Sequence, residues 1–287
     1  MPNGNALRVA AAELLEWLSD AFTKFYPAKN AASPLHYFHV PIVECPNCKH
    51  RGPLFRHLVL VRDPRSRGGV VRNDGLTCYC PTCFSLHHLK SPDAVRLRCC
   101  GQQRRIWSGT FTDQSYCCPE CATKSSHRDL RTGVAEQRLV AVEETQPGEH
   151  RRLREPTRAD RDAKERAQRS LSSRRNSLHL PHGNVQVGHH DDRPISYGIT
   201  RYEELFTSRQ LLVFGSAWRW ISERDWPEPV TRALEMALSN ALATNNRLCG
   251  YATDYGRLSV VCRAGILASS PFGRTPVSGE RRRSSAL

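Results

Sequence analysis

The chain has 287 residues, with 42 Lys and Arg against 28 Asp and Glu, for a formal net charge of +14. That length allows one large domain or two smaller ones, and the charge favours an anionic partner, nucleic acid before a membrane surface. No apolar run approaches the ~20 residues that span a bilayer. The start, "MPNGNALRVAAAELLEWL", carries Glu13 and Glu16 and reads as no signal peptide, so a cytoplasmic location with no membrane partner is expected.

Residues 5 to 26 read as an amphipathic helix. Leu7, Ala11, Leu14, Leu15, Leu18, Phe22 and Phe25 fall on one stripe, Asn5 offers an N-cap, and Pro27 ends the pattern. Residues 40 to 145 change character. Short β-rich runs such as "LFRHLVLVR" and "QRLVAVEE" alternate with cysteine pairs and turns, which suggests small hairpins held by metal more than by a large core. Residues 147 to 193 are polar and rich in arginine. Their first part suits a solvated helix and the rest a flexible loop, so the whole is expected as a basic flexible linker. Periodicity returns at Ile195. Leu205, Leu211, Leu212, Phe214, Trp218 and Ile221 recur at mostly helical intervals, with Thr207 placed to cap. A second helix is expected from about Pro229 to Asn245, with Leu234, Ala237, Leu238, Leu242 and Ala243 as its apolar face. After Leu258 no periodicity is left, and the Arg- and Ser-rich end reads as disordered. The expected segments are thus 1–39, 40–146, 147–193, 194–258 and 259–287.

Twelve cysteines in a reducing compartment need an explanation other than disulfides, and ten of them lie between Cys45 and Cys121. Cys249 and Cys262 stand apart and read as small apolar residues. Three pairs share one form, "CPNC", "CPTC" and "CPEC": Cys45 with Cys48, Cys80 with Cys83, Cys118 with Cys121. This spacing lets two thiolates converge on one metal, with backbone N–H groups turned toward the sulfurs. Two tetrahedral sites need a fourth pair, and "LRCCGQQ" offers Cys99 and Cys100. An ordinary pair would begin at position 97, which is Leu97. Cys100, followed by Gly101, is the better ligand by position. For the eighth ligand Cys99 is preferred over Cys117, Cys78 and His127. By sequence proximity, Cys45 and Cys48 are expected to join Cys80 and Cys83, leaving Cys99, Cys100, Cys118 and Cys121 for the second site. A nested arrangement, with 45/48 joining 118/121, stays open. All-thiolate ligands without an HExxH or a deaminase pattern indicate two structural zinc ions, not catalytic ones. His87–His88 and His189–His190 read as surface residues.

The segments "FYPAKN", "VECPNCKHRGPL", "ISYGITRYEELFTSRQLLVFGSAWRWI" and "LATNNRLCGYATDYGRL", with the later cysteine pairs, resemble the adenine-specific DNA methylases that contain a zinc ribbon. The resemblance runs over roughly residues 10 to 258. It implies an α+β fold, in which zinc-ribbon hairpins are inserted between helical segments of an incomplete Rossmann-like methyltransferase. In that family the enzyme binds S-adenosylmethionine and methylates adenine N6. Its cofactor loop, an acidic residue followed by P-F and glycines, and its D-P-P-Y motif do not occur in this sequence. No residue is therefore assigned a catalytic or cofactor-binding role. S-adenosylmethionine is expected for the intact family only, and polypeptides carrying the missing methyltransferase halves are candidate partners. The resemblance stops near residue 260, where a frameshift or truncation is the expected cause. A freestanding zinc-ribbon module that binds nucleic acid or a protein is the alternative.

Overall fold

The computed structural model describes residues 4–28, 32–62, 75–112, 115–130, 137–145, 151–186, 193–196, 198–252, 257–259 and 267–269. Helix α1 (Gly4–Phe22) runs into a short 3-10 turn (Thr23–Phe25). Strand β1 (Ser33–Glu44) leads to β2 (Arg51–Pro53), β3 (Val59–Arg62), β4 (Leu76–Tyr79) and β5 (Leu86–Leu89). The hairpin of β6 (Arg96–Cys99) and β7 (Gln102–Arg105) follows, then β8 (Phe111–Thr112), β9 (Ser115–Cys117) and β10 (Lys124–Ser126). The long strand β11 (Gln137–Thr145) and β12 (Arg151–Arg154) precede α2 (Arg158–Arg174), the single-turn α3 (Arg193–Ser196), α4 (Ser208–Ser222) and α5 (Glu228–Thr244). Three short strands come last: β13 (Gly250–Ala252), β14 (Arg257–Ser259) and β15 (Leu267–Ser269). The class is α+β, and every strand pairing among the described residues is antiparallel.

Strand β1 organises the molecule. Its register with β11 runs from Ser33 opposite Thr145 to Pro41 opposite Gln137, inside a sheet ordered β12-β11-β1-β15-β13-β14. The run from Tyr37 to Pro41 is buried without a break, because both faces of this sheet are covered. On one face Tyr37 and Val142 join a core built from α1, α2, α4 and α5. On the other, Phe38, Val40 and Val140 pack on Leu58, Leu60, Tyr79, Leu97 and Ile106 of the cysteine-rich region. A third, smaller core joins Val43, Leu54, Phe111, Tyr116 and Leu130 around Cys45 and Cys118.

The first helix buries Leu14, Leu18 and Phe22 of its expected stripe, and Ala10 beside them, while Leu7 and Ala11 are half-buried and Leu15 points outward at 59 % exposure. Thr207 caps α4 as expected. Its hydroxyl accepts from the Gln210 N–H, and the Gln210 side chain accepts from the Thr207 N–H at 2.9 Å. The chain at Leu178–Leu180 crosses α4 closely at Gly215: a Cβ there would displace the tip of Leu180, at 2.8 Å, and crowd the His179 carbonyl at 3.3 Å. Arg209, at the start of α4, is buried over the Tyr37 ring at 4.0 Å and donates to the Phe25 carbonyl. In α5, Val230, Leu234 and Leu238 are buried, but Ala237 and Ala243 are exposed.

Three expected boundaries differ. The 39/40 boundary falls inside β1, whose pairing with β11 ties the two expected segments into one sheet. The stretch 147–193 is no flexible linker over 151–178. β12 pairs with β11, and α2 lays Ala163, Ala167 and Leu171 into the helical core. A buried network fixes this corner: Arg154 donates to Glu144 and to both oxygens of Asp160, which also closes the capping box with Thr157. Burial alone would raise the Asp160 carboxyl, but these donors outweigh it and hold it below its usual value. From the expected disordered end, residues 267–269 pair with β1. The other residues after 259 lie outside the described residues, as do His189 and His190.

Candidate metal centres

Each of the three CPxC segments forms the same tight turn. The N–H of the residue after the second cysteine donates to the carbonyl of the first: Lys49 to Cys45, Phe84 to Cys80 and Ala122 to Cys118, at 3.0, 2.9 and 3.0 Å. That following residue takes a left-handed conformation in all three, with φ of 63°, 65° and 55°. This costs free energy in a non-glycine residue and persists where the surroundings over-determine it. The turn aims the next backbone N–H at the second sulfur, from His50 to Cys48, Ser85 to Cys83 and Thr123 to Cys121.

The fourth pair is built differently. Cys99 and Gln102 face each other across the β6–β7 hairpin, so Cys100 and Gly101 form its two-residue turn. Both have positive φ, 52° and 72°, as a type I′ turn requires. One sulfur thus leaves the strand end and the next leaves the turn, so adjacent cysteines do the task of a spaced pair. Leu97, where an ordinary pair would have its first cysteine, is buried in the core shared with the β1 sheet.

The sulfurs assemble in two groups of four, Cys45, Cys48, Cys118 and Cys121, and Cys80, Cys83, Cys99 and Cys100, each group within 4.8 Å. All eight expected ligands are therefore brought together, and the preferred pairing is corrected: the arrangement is nested. β1 delivers the first turn and β11 leaves after the third, so their long antiparallel pairing brings 45/48 to 118/121. The inner group then closes within the intervening chain. Sequence proximity misleads here because loop closure grows only slowly with length. Cys117 points to the Ala122 carbonyl instead. Cys78 lies in an apolar core, where burial pushes its thiol up to about 12. The His127 side chain lies outside the described residues.

The geometry fits a tetrahedral metal. In the outer group Cys45 to Cys121 and Cys48 to Cys118 are each 3.6 Å apart. In the inner group Cys83 to Cys99, Cys99 to Cys100 and Cys80 to Cys100 are 3.6, 3.8 and 3.9 Å. Zinc–sulfur bonds of ~2.3 Å at tetrahedral angles place sulfurs ~3.8 Å apart, whereas a disulfide requires ~2.05 Å. The acidities diverge within each group. The Ser85 N–H lowers Cys83 to about 6, and the Thr123 hydroxyl and N–H lower Cys121 to about 5. Cys99 is pushed up to about 12 by burial and by facing sulfurs. Four thiolates at this spacing repel one another, and a divalent cation removes the conflict.

Sequence reasoning missed the polar links around the sulfurs. Asn47, the variable residue of "CPNC", donates across to Thr123 at 3.0 Å and toward Cys121 at 3.7 Å. Thr82, in the same place in "CPTC", accepts from Arg104 at 3.1 Å. The only signal was a polar residue at the third position of the motif. It also missed a buried cluster in the main sheet, where His36 Nδ1 lies 2.6 Å from Glu143 and the Tyr251 hydroxyl donates to Glu143 at 3.1 Å. No protein family, curated protein or solved structure matches the chain. No helix among the described residues is long and apolar enough to cross a membrane.

Proposed function

We propose that this chain is the zinc-stabilised, DNA-facing part of an S-adenosylmethionine-dependent, adenine-specific DNA methyltransferase of Rossmann-like type. The observation that carries the zinc assignment is the pair of four-sulfur groups at tetrahedral spacing. Cys45, Cys48, Cys118 and Cys121 hold one ion, and Cys80, Cys83, Cys99 and Cys100 the other. Four thiolates fill the coordination of each zinc and leave no position for a reacting water, so both ions are structural. The methylase reading rests on the sequence resemblance around "YGITRYEELFTSRQ", and the DNA-facing role on that resemblance and the net charge of +14.

Methyl transfer needs a cofactor held beside an extruded adenine. The motifs that do both tasks in that family do not occur in this sequence. The purified chain should therefore bind duplex DNA without sequence preference, with affinity falling steeply as salt rises. Incubated alone with labelled S-adenosylmethionine and unmethylated duplex, it should leave adenine unlabelled. Labelled adenine with no second protein present would sink the reading of the missing motifs. DNA binding that is absent at low salt would sink the DNA-facing role.

A second reading, a freestanding zinc-ribbon module, is favoured by one observation. The apolar face of α4 is closed within this chain, with no methyltransferase sheet needed to cover it: Leu211, Leu212, Ala217, Trp220 and Ile221 are buried with α1 and α2. Translating the DNA that flanks the gene decides between the two. Frames encoding the cofactor loop and D-P-P-Y favour the methylase, and their absence favours the module.

A further inference from the structure

From Ala94 to Thr112 the chain contains Arg96, Arg98, Arg104 and Arg105 and no acidic residue. The β6–β7 hairpin sorts them onto two faces. Leu97 is buried and Arg104 is half-buried on one face, where Arg104 binds Thr82 beside the inner sulfur group. Arg96, Arg98, Gln103 and Arg105 are exposed on the other, with Arg96 directly opposite Arg105 and Arg98 opposite Gln103. Like charges placed opposite each other across a ladder repel. No ion pair among the described residues relieves them: Arg96 meets only the neutral Gln103. At the open end of the hairpin, Trp107 just beyond β7 is 42 % exposed, and Val95 just before β6 is 60 % exposed.

Helix α2 looks the better DNA surface in the sequence, but its arginines each have a partner within the chain, and acidic residues are interleaved with them. Arg158 pairs with Asp162 and Arg169 with Glu165 in exposed pairs one turn apart, Arg161 donates to the Pro156 carbonyl, and Arg175, just past the helix end, pairs with Glu203. Arg166 donates to the Lys24 carbonyl and Arg174 to Ser216.

We infer that the outer face of the β6–β7 hairpin, through Arg96, Arg98 and Arg105, is the surface that grips the phosphate backbone of duplex DNA. This rests on the DNA-facing role proposed above and gives it an address. A two-stranded ribbon is narrow enough to lie along the major groove. The inner sulfur group fixes the turn end of the hairpin, through Cys99 at the end of β6 and Cys100 in the turn, so the guanidinium groups are presented on a rigid ribbon. Bound zinc gives four thiolates a net charge of −2, and Arg104 faces that charge while the other three arginines face away from it.

The test compares salt dependence of duplex binding for three zinc-loaded proteins. One is unaltered, one carries Arg96→Gln, Arg98→Gln and Arg105→Gln, and one carries Arg158→Gln, Arg161→Gln and Arg169→Gln. Both variants lose the same charge. Each phosphate contact contributes about 0.9 to the slope of log affinity against log salt. The hairpin variant should lose about 2.7 from that slope and the helix variant less than about 1, on the same scale. A hairpin variant with an unchanged slope, or a helix variant that loses as much, overturns the inference and leaves the DNA-facing role standing. An unaltered protein that binds no DNA overturns both. Should the triple variant lose zinc, Arg98→Gln and Arg105→Gln made singly decide the matter, each expected to lower the slope by about 0.9.

Discussion

The helical layer and the cysteine-rich region hold their chain by different means. The helices bury a continuous apolar set from Ala10 to Leu238, including Phe22, Leu212, Trp220 and Ile221. The two ribbons consist of strands of two to four residues, and the outer one closes over a core of a few side chains around Cys45 and Cys118. A strand pair that short is marginal in water. The difference teaches where free energy must come from: burial suffices for the first region, whereas in the second the inner part shares a core with β1 and the outer ribbon, with its small core, is where bound metal would matter most. β1 joins them, with one face in each.

The largest expected effect comes from removing metal. Structural zinc supplies about 10–16 kcal/mol of apparent binding free energy in small metal-dependent folds, and that free energy is folding free energy. A strong chelator should therefore unfold residues 45–130 while α1, α2, α4 and α5 persist. Hydrogen exchange, read peptide by peptide, checks this. Fast exchange confined to the ribbons supports the contrast, and equal protection before and after chelation breaks it.

A core truncation should do the reverse. Leu212 is fully buried in the helical layer. Leu212→Ala should cost about 2–5 kcal/mol in denaturant unfolding of that layer. Zinc content should stay at two equivalents, because no sulfur ligand touches this core. Loss of zinc in this variant would mean that the two regions fold as one unit.

Acid sharpens the comparison through a smaller effect. His39, on β1, has its pKa lowered to about 3, first by burial and then by Arg209, Lys164 and Arg247. The fold holds the neutral ring, so this contribution is complete above the ordinary value of ~6.5 and drains as pH falls toward 3. The loss is about 1.4 kcal/mol for each pH unit below ~6.5. His39→Leu should flatten the pH dependence of melting between pH 6.5 and 5, followed by far-ultraviolet circular dichroism of the helices. Parallel curves for the two proteins would show that His39 contributes nothing to it.

Much of this contrast was legible in the sequence, and its gaps have physical causes. The stripe of α1 and the Thr207 cap could be read because large apolar residues and a capping hydroxyl are local signals. The packing of helix α2 could not, because its buried face is two alanines and one leucine, Ala163, Ala167 and Leu171, and the arginines around them read as a solvated helix. The eight sulfur ligands were legible from spacing, including the adjacent Cys99 and Cys100. Their partition was not, because it is set by the register of β1 with β11, about a hundred residues apart and outside every cysteine motif. The buried contact of His36 with Glu143 was hidden for the same reason.

The nested partition is the central claim, and one metal count tests it. Zinc per chain is measured by native mass spectrometry for the unaltered protein and for Cys45→Ser combined with Cys118→Ser. Nested sites place both changes in one group, so the variant should keep one zinc where the unaltered protein holds two. Pairing by sequence proximity would place one change in each site. A variant that has lost both ions would contradict the account.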